Sequence, residues 1–381
     1  MRTRYLLNYF LSLSCPYTIN YRINCFKVGK KQNKTRIKDI ALKAGVSIGT
    51  VDRVIHGRGE VNDKTREKIL EIIEELGYKP NLLARSLASK KTKRIAIVIP
   101  DSSDNNPYWK KPVFGINKAA DELINYNIEI IYKYFDATDE ESFKGILEKV
   151  CKDKPDGVVL NPVFKSTSLH FISIFSTRGI PYIFIDVNIK GVGKLAYFGQ
   201  DAEQSGLVAA KLMASNTFES SNILVVKLSN KKVFSQHIES RITGFLKYFE
   251  QSEYYKNVQI NTLEVDLLDS REPGFSLTKI FENNKDLSGV FVPNSRAFKV
   301  AEFLKQKNYK GVVTIGYDLI EQNIAHLKEG TISYLISQKP EDQAYNAIMT
   351  MFNNLMIKTE VQKTTYSPID IIIKENIDYY K

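Results

Sequence analysis

The chain has 381 residues, 43% of them hydrophobic and 25% charged, and a formal net charge of +11 at pH 7. This composition is typical of a globular protein, and the length allows two or three domains with separate cores. Three unpatterned cysteines argue against a disulfide scaffold or a zinc site, and no apolar run reaches the ~18–20 residues of a transmembrane helix.

The positive charge is concentrated at the amino-terminal end of the chain. Residues 1–94 contain 21 Lys and Arg against 8 Asp and Glu, whereas the remainder contains 33 against 35. A basic segment joined to a nearly neutral body is the distribution expected of a protein that contacts nucleic-acid phosphates.

Residues 1–34 superficially resemble a secretory signal, because Arg2 and Arg4 precede the apolar stretch "YLLNYFLSLSC". Asn8 and Ser12 interrupt that stretch, and Ser12 stands where a lipoprotein signal would have leucine. We therefore expect residues 1–34 to be a poorly ordered extension or the product of a start codon assigned too far upstream. The protein is then expected to be cytoplasmic.

Two short helices are predicted next, separated by a glycine. "IKDIALKA" (37–44) places its apolar residues on one face, and Gly45 can adopt the positive φ that ends a helix. Ser47 is a natural N-cap for a second helix, in which Val51 and Val54 face inwards. Asn62 caps a third helix with an inner stripe that ends at Leu76.

This arrangement predicts a helix-turn-helix with a supporting third helix, in which the second helix enters the major groove. Arg53 is the best candidate for reading a base, because its guanidinium can bond a guanine edge through two hydrogen bonds. Ser47, Thr50, Thr65 and Arg66 lie near helix ends and suit phosphate contacts. The alternative is a small helical bundle with solvated charges.

A short helix is predicted in "GYKPNLLARSLASKK" (77–91), where Pro80 suits a first turn and Leu83 and Leu87 lie four residues apart. The motifs "ALKAGVSIGTVDRVIHG", "VNDKTREKILEIIEELGYKPN" and "LARSLA", in this order, resemble the lactose/galactose repressor (LacI/GalR) family of bacterial transcription regulators. The resemblance implies a homodimer on a pseudo-palindromic DNA operator. It also implies that the hinge helices of two protomers pair in the minor groove and insert Leu87 between base pairs.

The resemblance completes the predicted DNA-contacting set. Its members are Ser47, Ile48, Gly49, Thr50, Arg53, His56, Thr65, Arg66 and Leu87. Two features depart from the family pattern. Asp52 occupies a position where serine is usual, and Ile48 and Gly49 replace larger polar side chains. Operator preference therefore cannot be transferred from the family.

Beyond Arg94 the sequence alternates between apolar runs and amphipathic helices, which predicts parallel sheets covered on both faces. The runs are "IAIVIP", "IEIIYKYF", "DGVVLNP", "PYIFID", "NILVVKL", "GVFVPN", "VVTIGYD" and "ISYLISQ". Residues 93–381 are too many for one sheet and are expected to form two lobes. Ligands of such folds bind at the carboxyl ends of the strands.

Amides, acids and aromatic residues follow these runs, and they suit a hydroxyl-rich ligand. The body resembles the sugar-binding, periplasmic-protein-like (type I) domain of the same family, which implies a sugar or sugar derivative as allosteric effector. The predicted ligand-binding residues are Asn106, Tyr108, Trp109, Asp186, Arg241, Asn294, Asp318 and Gln338. Arg241 matches a family arginine three residues before a glycine–aromatic pair, whereas Val187 replaces an arginine common in related receptors.

Four regions are therefore expected: the extension 1–34, the DNA-binding domain 35–79, the hinge and linker 80–92, and the effector-binding and dimerisation domain 93–381. Hydrolase, P-loop and zinc-protease motifs are absent from the sequence, and "GVGKLA" (191–196) does not open a helix. We expect no enzyme activity, cofactor or metal. The alternatives are an exported sugar receptor, which would have no use for residues 35–90, and an enzyme on the same scaffold.

Overall fold

The computed structural model of the protein describes residues 35–56, 59–78, 91–103, 106–218, 220–229, 236–266, 277–279, 281–282 and 287–380. The chain divides into two compact units, Met1–Asn81 and Leu82–Lys381. Residues 1–34, most of the predicted hinge including Leu87, and the side chain of His56 lie outside the described residues. Among the described residues, no helix combines the length and the apolar character needed to cross a membrane.

The described part of the amino-terminal unit contains three helices, and local signals set their ends. They are α1 (Ile37–Ala44), α2 (Ile48–His56) and α3 (Asp63–Glu75). Gly45 ends α1 with a φ of 72°, a conformation that costs glycine little. Ser47 Oγ accepts a hydrogen bond from the Thr50 N–H at 3.1 Å, and Asn62 Oδ1 accepts one from the Lys64 N–H at 3.0 Å. Both predicted caps are confirmed.

A small apolar core joins these helices. Ile40, Val51 and Ile69, one from each helix, have no exposed surface. Val54 and Ile72 are also buried in this core. The inner faces predicted for the three helices are confirmed, and the opposite face of α2 is left exposed.

The carboxy-terminal unit has two lobes, each built on a six-stranded sheet. The first sheet is parallel throughout and has the order β11-β5-β4-β3-β1-β2. Its strands are β1 (Lys93–Pro100), β2 (Ile128–Phe135), β3 (Gly157–Leu160), β4 (Tyr182–Ile185), β5 (Ala196–Gly199) and β11 (Thr365–Tyr366). Its helices are α4 (Lys110–Leu123), α5 (Glu140–Asp153), α6 (Lys165–Thr177) and α11 (Pro340–Met356).

Strand β1 shows how this sheet is covered. Ile95, Ile97 and Ile99 pack in one core cluster with α4 and α11, whereas Ala96 and Val98 pack in another with α5 and α6. Alternate side chains of a strand point to opposite faces, so a strand buried on both faces must be apolar throughout. This explains the continuous apolar run of β1.

The second sheet has the order β12-β10-β9-β8-β6-β7. Its strands are β6 (Asn222–Ser229), β7 (Gln259–Asp266), β8 (Leu287–Phe291), β9 (Val313–Tyr317), β10 (Tyr334–Ser337) and β12 (Asp370–Ile372). Its helices include α7 (Ala202–Ala214), α8 (Gln236–Glu250), α9 (Ala297–Gln306) and α10 (Glu321–Glu329). The edge strand β12 runs antiparallel to β10, whereas the other neighbours are parallel.

All eight predicted apolar runs contain a strand, and the two-lobed α/β architecture is confirmed. The predicted runs do not include β5, β7, β11 and β12. Strand β7 is exposed along much of its length and has no continuous apolar run. The other three have four residues or fewer, too few to establish a periodicity.

The described elements pass from one lobe to the other at three crossings: between β5 and α7, between β10 and α11, and between β11 and β12. The Gln200 amide lies in the first crossing and donates to Ser337 O in the second at 3.1 Å. It also donates to Pro368 O in the third at 3.0 Å. One buried side chain therefore joins all three crossings.

Candidate functional sites

The exposed face of α2 carries the residue predicted to read a base. Ile48 is 57% exposed, and Gly49 and Arg53 are also exposed. At the start of the helix, Ser47 Oγ and Thr50 Oγ1 are 2.9 Å apart. A guanidinium that is exposed on the outer face of a helix is free to reach a base edge, because it is not buried against the other helices.

The other predicted DNA contacts lie at the start of α3. Arg66 is exposed and Thr65 is half-buried, and the backbone N–H groups of both donate to Asn62 O. Asp52, which departs from the family pattern, lies near Tyr78: the pKa of Tyr78 is raised by burial and by the charge of Asp52. Asp52 therefore interacts within the unit.

In the first lobe, polar side chains converge on Asp186, which follows β4 directly. The Tyr108 O–H donates to Asp186 Oδ1 at 3.1 Å, and Asn161 Nδ2 donates to Asp186 Oδ2 at 3.1 Å. The Tyr197 O–H donates to the Asp186 carbonyl at 3.0 Å. Asp186 has a φ of 64°, in the left-handed region that aspartate tolerates better than most residues.

In the second lobe, a chain of hydrogen bonds links Arg241, Gln338 and Asp318. Arg241 Nη2 donates to Gln338 Oε1 at 3.1 Å, and Gln338 Nε2 donates to Asp318 Oδ1 at 2.8 Å. Arg241 Nη1 donates to Pro293 O at 2.9 Å, and the guanidinium lies 3.8 Å from the centre of the Tyr317 ring. Among the described residues, the buried Arg241 Nε has no hydrogen-bond partner, so it can donate to a ligand.

The charges of the two groups influence each other across the cleft. Burial raises the pKa of Asp318 to about 6, against the opposing effect of Arg241 and with a further increase from Asp186 of the other lobe. Burial and then Asp186 raise the pKa of Tyr108 well above its usual value. The cleft therefore contains two carboxylates and one arginine at short range.

Three of the predicted ligand residues make contacts within the protein, and their role in ligand binding stays a prediction. Asn294 Nδ2 donates to Leu228 O at 2.6 Å, and Asn294 Oδ1 accepts from the Arg296 N–H at 3.1 Å. The Asn294 side chain therefore links the loop after β8 to the end of β6. Asn106 Nδ2 donates to Asp101 O at 3.3 Å. Trp109 is buried edge-on against Tyr108, with ring centroids 5.5 Å apart. The other five predicted residues form the two cleft groups.

Four cleft residues lie outside the predicted set: Asn161, Tyr197, His237 and Tyr317. Asn161 directly follows β3 and Tyr317 ends β9, so the strand-end position is a signal that could have selected both. Tyr197 lies within β5, a strand that the sequence pattern does not mark clearly. His237 lies one helical turn before Arg241, and burial lowers its pKa to about 4, against the opposing effect of Asp186.

A close crossing of α7 and α8 positions Arg241. A Cβ at Gly206 would lie 2.0 Å from Arg241 O, and a Cβ at Gly244 would lie 2.0 Å from Glu203 O. The next residue, Phe245, stacks on Phe291 with ring centroids 4.4 Å apart. The glycine–aromatic pair after Arg241 therefore has a packing role: the glycine brings the helices together and the ring anchors α8 on the sheet.

Comparison with protein families identifies both parts of the chain. Residues 36–81 match the family of bacterial regulatory proteins described as the lacI family. Residues 95–359 match the periplasmic binding protein domain. The second match covers more than half of the chain, and the two matches follow each other in the order of the two units.

Individual relatives agree with these matches. The chain is 35% identical over 153 residues to the HTH-type transcriptional regulator DegA of Bacillus subtilis, covering 40% of this chain and 44% of the relative. It therefore spans less than half the length of that relative. It is 26% identical to the ribose operon repressor of Lactococcus lactis, over 76% of this chain and 82% of the relative.

A solved structure covers the body. A crystal structure assigned to a LacI transcriptional regulator from Bacteroides fragilis is 34% identical and has a TM-score of 0.70. The similarity covers 76% of this chain and 100% of that one.

Proposed function

Because this chain belongs to the lacI family of bacterial regulatory proteins, we propose that it is a DNA-binding transcriptional repressor controlled by a small ligand. The ligand is a sugar or sugar derivative that binds between the two lobes. The protein works as a homodimer in the cytoplasm, where its DNA is. One observation carries the proposal: the same polypeptide has a helical unit with an exposed Arg53 and a body with a polar cleft. In that cleft, Arg241, Gln338 and Asp318 are linked by hydrogen bonds.

The DNA-binding step follows from the chemistry of α2 and α3. Arg53 donates two hydrogen bonds to a guanine edge in the major groove. Ser47, Thr50, Thr65 and Arg66 hold the phosphates on either side and set the register of α2. Ile48 and Gly49 present little polar surface to the groove, so base recognition depends strongly on Arg53.

Effector binding follows from the polar groups of the cleft. Carboxylates and amides such as Asp318, Asp186 and Gln338 form paired hydrogen bonds with neighbouring hydroxyl groups. Arg241 Nε supplies a donor that no described residue of the protein uses. Two acids against one arginine favour a neutral ligand over a strongly anionic one.

The two events are coupled through the chain crossings. A ligand that contacts both lobes favours one angle between them, and the crossings joined by Gln200 must adjust to that angle. The lobe angle determines whether the hinge segments with Leu87 can pair in the minor groove of an operator. Such a coupling typically corresponds to ~1–3 kcal/mol.

Selection of duplexes from a random DNA pool tests the proposal. The purified full-length protein should enrich a pseudo-palindromic sequence whose half-sites match the two helix-turn-helix units of a dimer. Retention of all duplexes with equal affinity, with and without a panel of carbohydrates, would refute it. An exported sugar receptor would likewise show no sequence preference.

Arg53→Ala should relax the preference for one base pair in each half-site, because the bidentate contact to that base is lost. The expected cost on the selected operator is about 1–3 kcal/mol, with little change on duplexes altered at that position. Arg66→Ala is the matched control, since loss of a phosphate contact should weaken binding to all duplexes alike and reduce the salt dependence. Uniform weakening by Arg53→Ala would make Arg53 a phosphate contact instead.

Arg241→Met should remove most effector binding while leaving DNA binding without effector intact. Methionine keeps much of the buried volume but supplies no donors, so the ligand loses its charged partner and Gln338 loses a hydrogen bond. We expect an affinity loss of about 100-fold or more for any sugar that stabilises the wild type, measured by calorimetry. Unchanged affinity would place the ligand away from this residue.

A further inference from the structure

An exposed basic surface lies at the edge of the first lobe where β1 and β3 begin, opposite the edge that carries the effector cleft. Lys152 and Lys154, at the end of α5, and Arg178, directly after α6, are all exposed. We call these three residues the basic edge. They line an open cavity of about 580 Å³, in which Glu148 is the one acid among the described residues. Because the body as a whole is nearly neutral, this positive excess is local.

The two aspartates next to the basic edge in the chain already have cationic partners. Asp153 pairs with Lys133 at 2.8 Å, and Asp156 pairs with Lys93 at 2.7 Å. Among the described residues, no acid forms an ion pair with a residue of the basic edge. The positive charge of this surface is therefore available to a partner outside the chain.

Two arginines at this edge have a structural role, whereas the two lysines do not. Arg178 Nη1 donates to Cys151 O at 2.7 Å, and Arg94 Nη2 donates to Lys154 O at 3.3 Å. Cations are favourable at a helix C-terminus, so these bonds explain both guanidinium groups. The ammonium groups of Lys152 and Lys154 form no hydrogen bond with a described residue. Stabilisation of α5 therefore does not account for the two lysines.

The chain also arrives from the DNA-binding unit at this edge. Strand β1 begins at Lys93, and its next residue, Arg94, contacts the end of α5. Residues 79–92 join the amino-terminal unit to β1, and an extended chain of that length spans at most about 50 Å. A duplex carries one negative charge per about 1.7 Å of its axis. A protein bound to DNA through α2 therefore has the basic edge within reach of many phosphates.

We propose that the basic edge contacts the phosphate backbone of the DNA to which the amino-terminal unit is bound. This inference rests on the proposed DNA-binding function, and it adds a second contact surface that lies on the effector-binding body. Lys152 and Lys154 each neutralise a phosphate, and Arg178 donates its remaining N–H groups to another. Phosphates are present at every base pair, so this contact adds affinity for all duplexes and no base preference.

The salt dependence of DNA binding by the full-length protein tests this contact. The test variant carries Lys152→Gln together with Lys154→Gln. The logarithm of the binding constant falls with the logarithm of the salt concentration with a slope of about −0.9 for each neutralised phosphate. The double variant should therefore reduce the magnitude of the slope by about 1.8. At ~0.1 M salt it should bind the selected operator and random duplexes at least about tenfold more weakly, with the preference between them unchanged.

Lys307→Gln together with Lys310→Gln is the matched control. Both lysines are exposed, form no ion pair with a described residue, and lie between α9 and β9 at the corresponding edge of the second lobe. This variant loses the same charge and should keep the wild-type slope. Thermal unfolding should give the same midpoint for both variants as for the wild type, because all four side chains are exposed.

Equal slopes for the wild type and the Lys152/Lys154 variant refute the contact, and so do equal reductions in the test and control variants. Inorganic phosphate that stabilises the wild type but not the test variant, with equal DNA slopes, would assign the cavity to a free anion instead. These results leave the proposed function intact if the operator preference still requires Arg53. A wild type without any sequence preference refutes the proposed function itself, whatever the slopes.

Discussion

Gly244→Ala should destabilise the two-lobed body by about 3 kcal/mol, although alanine is the better helix former. The added Cβ would lie 2.0 Å from the backbone oxygen of Glu203 in α7, and a backbone atom cannot rotate away. Overpacking of this kind typically costs about 1–3 kcal/mol, and this contact belongs at the upper end. Because α8 must move away from α7, effector affinity should also fall through displacement of Arg241.

Gly145→Ala is the control for this prediction. Gly145 lies within α5, and a Cβ there would meet no atom within 4 Å. That substitution should stabilise the protein by roughly 0.5–1 kcal/mol, because alanine loses less backbone entropy in a helix than glycine. Urea denaturation and calorimetry with a bound sugar measure both effects. Similar stabilities for the two variants would contradict the close crossing of α7 and α8.

Asp318→Asn should increase the free energy of unfolding at pH 8 by up to about 3 kcal/mol while reducing effector binding. Burial raises the pKa of Asp318 from 3.8 to about 6. Above pH 6 the folded state therefore contains a buried, charged carboxylate, which lowers the free energy of unfolding. Stability from this group therefore increases as the pH falls from about 6 to about 4. Asparagine removes the charge, keeps an oxygen for Gln338, and tolerates the φ of 71° at this position. Below pH 4 the variant and the wild type should converge.

His237→Gln should have the opposite pH dependence. Burial lowers the pKa of His237 from 6.5 to about 4, so the unfolded state takes up its proton first as the pH falls. This group therefore removes up to about 3 kcal/mol of stability between pH 6.5 and pH 4, and has no effect above pH 6.5. Relative to the wild type, His237→Gln should be more stable at pH 4.5 and equally stable at pH 8.

The two residues offset each other in the wild type between pH 4 and pH 6. Asp318→Asn should then lose stability steeply on acidification, whereas His237→Gln should gain it. Urea denaturation at pH 4.5 and pH 8 measures both slopes. Parallel curves for the wild type and the two variants would show that neither group is buried in the cleft as described.

The amino-terminal unit could be predicted closely because its signals are local. Gly45 ends α1, and Ser47 and Asn62 cap the next two helices through atoms two or three residues away. The role of Asp52 could not be predicted, since its interaction with Tyr78 depends on the packing of α3 beside α2.

The cleft was only partly predictable. The strand-end rule selected Asp186, Asp318 and Gln338, because parallel strands bring their carboxyl ends to one edge of a sheet. The same rule selected Asn106 and Asn294, whose amides bond nearby backbone atoms in this structure. A strand-end position places a side chain at the right edge, but its hydrogen-bond partners depend on the loops around it.

Sequence by itself determined the order of the two units, the ends of the first three helices, the eight main strands and the family. Each of these depends on hydrophobic periodicity or on contacts within a few residues. Tertiary structure alone decided that Gly206 and Gly244 let α7 and α8 cross closely, that Gln200 joins the three crossings, and that Asp186 is close enough to Asp318 to raise its pKa. These relations join residues distant in the chain, so only the packing of helices on sheets and of one lobe against the other can establish them.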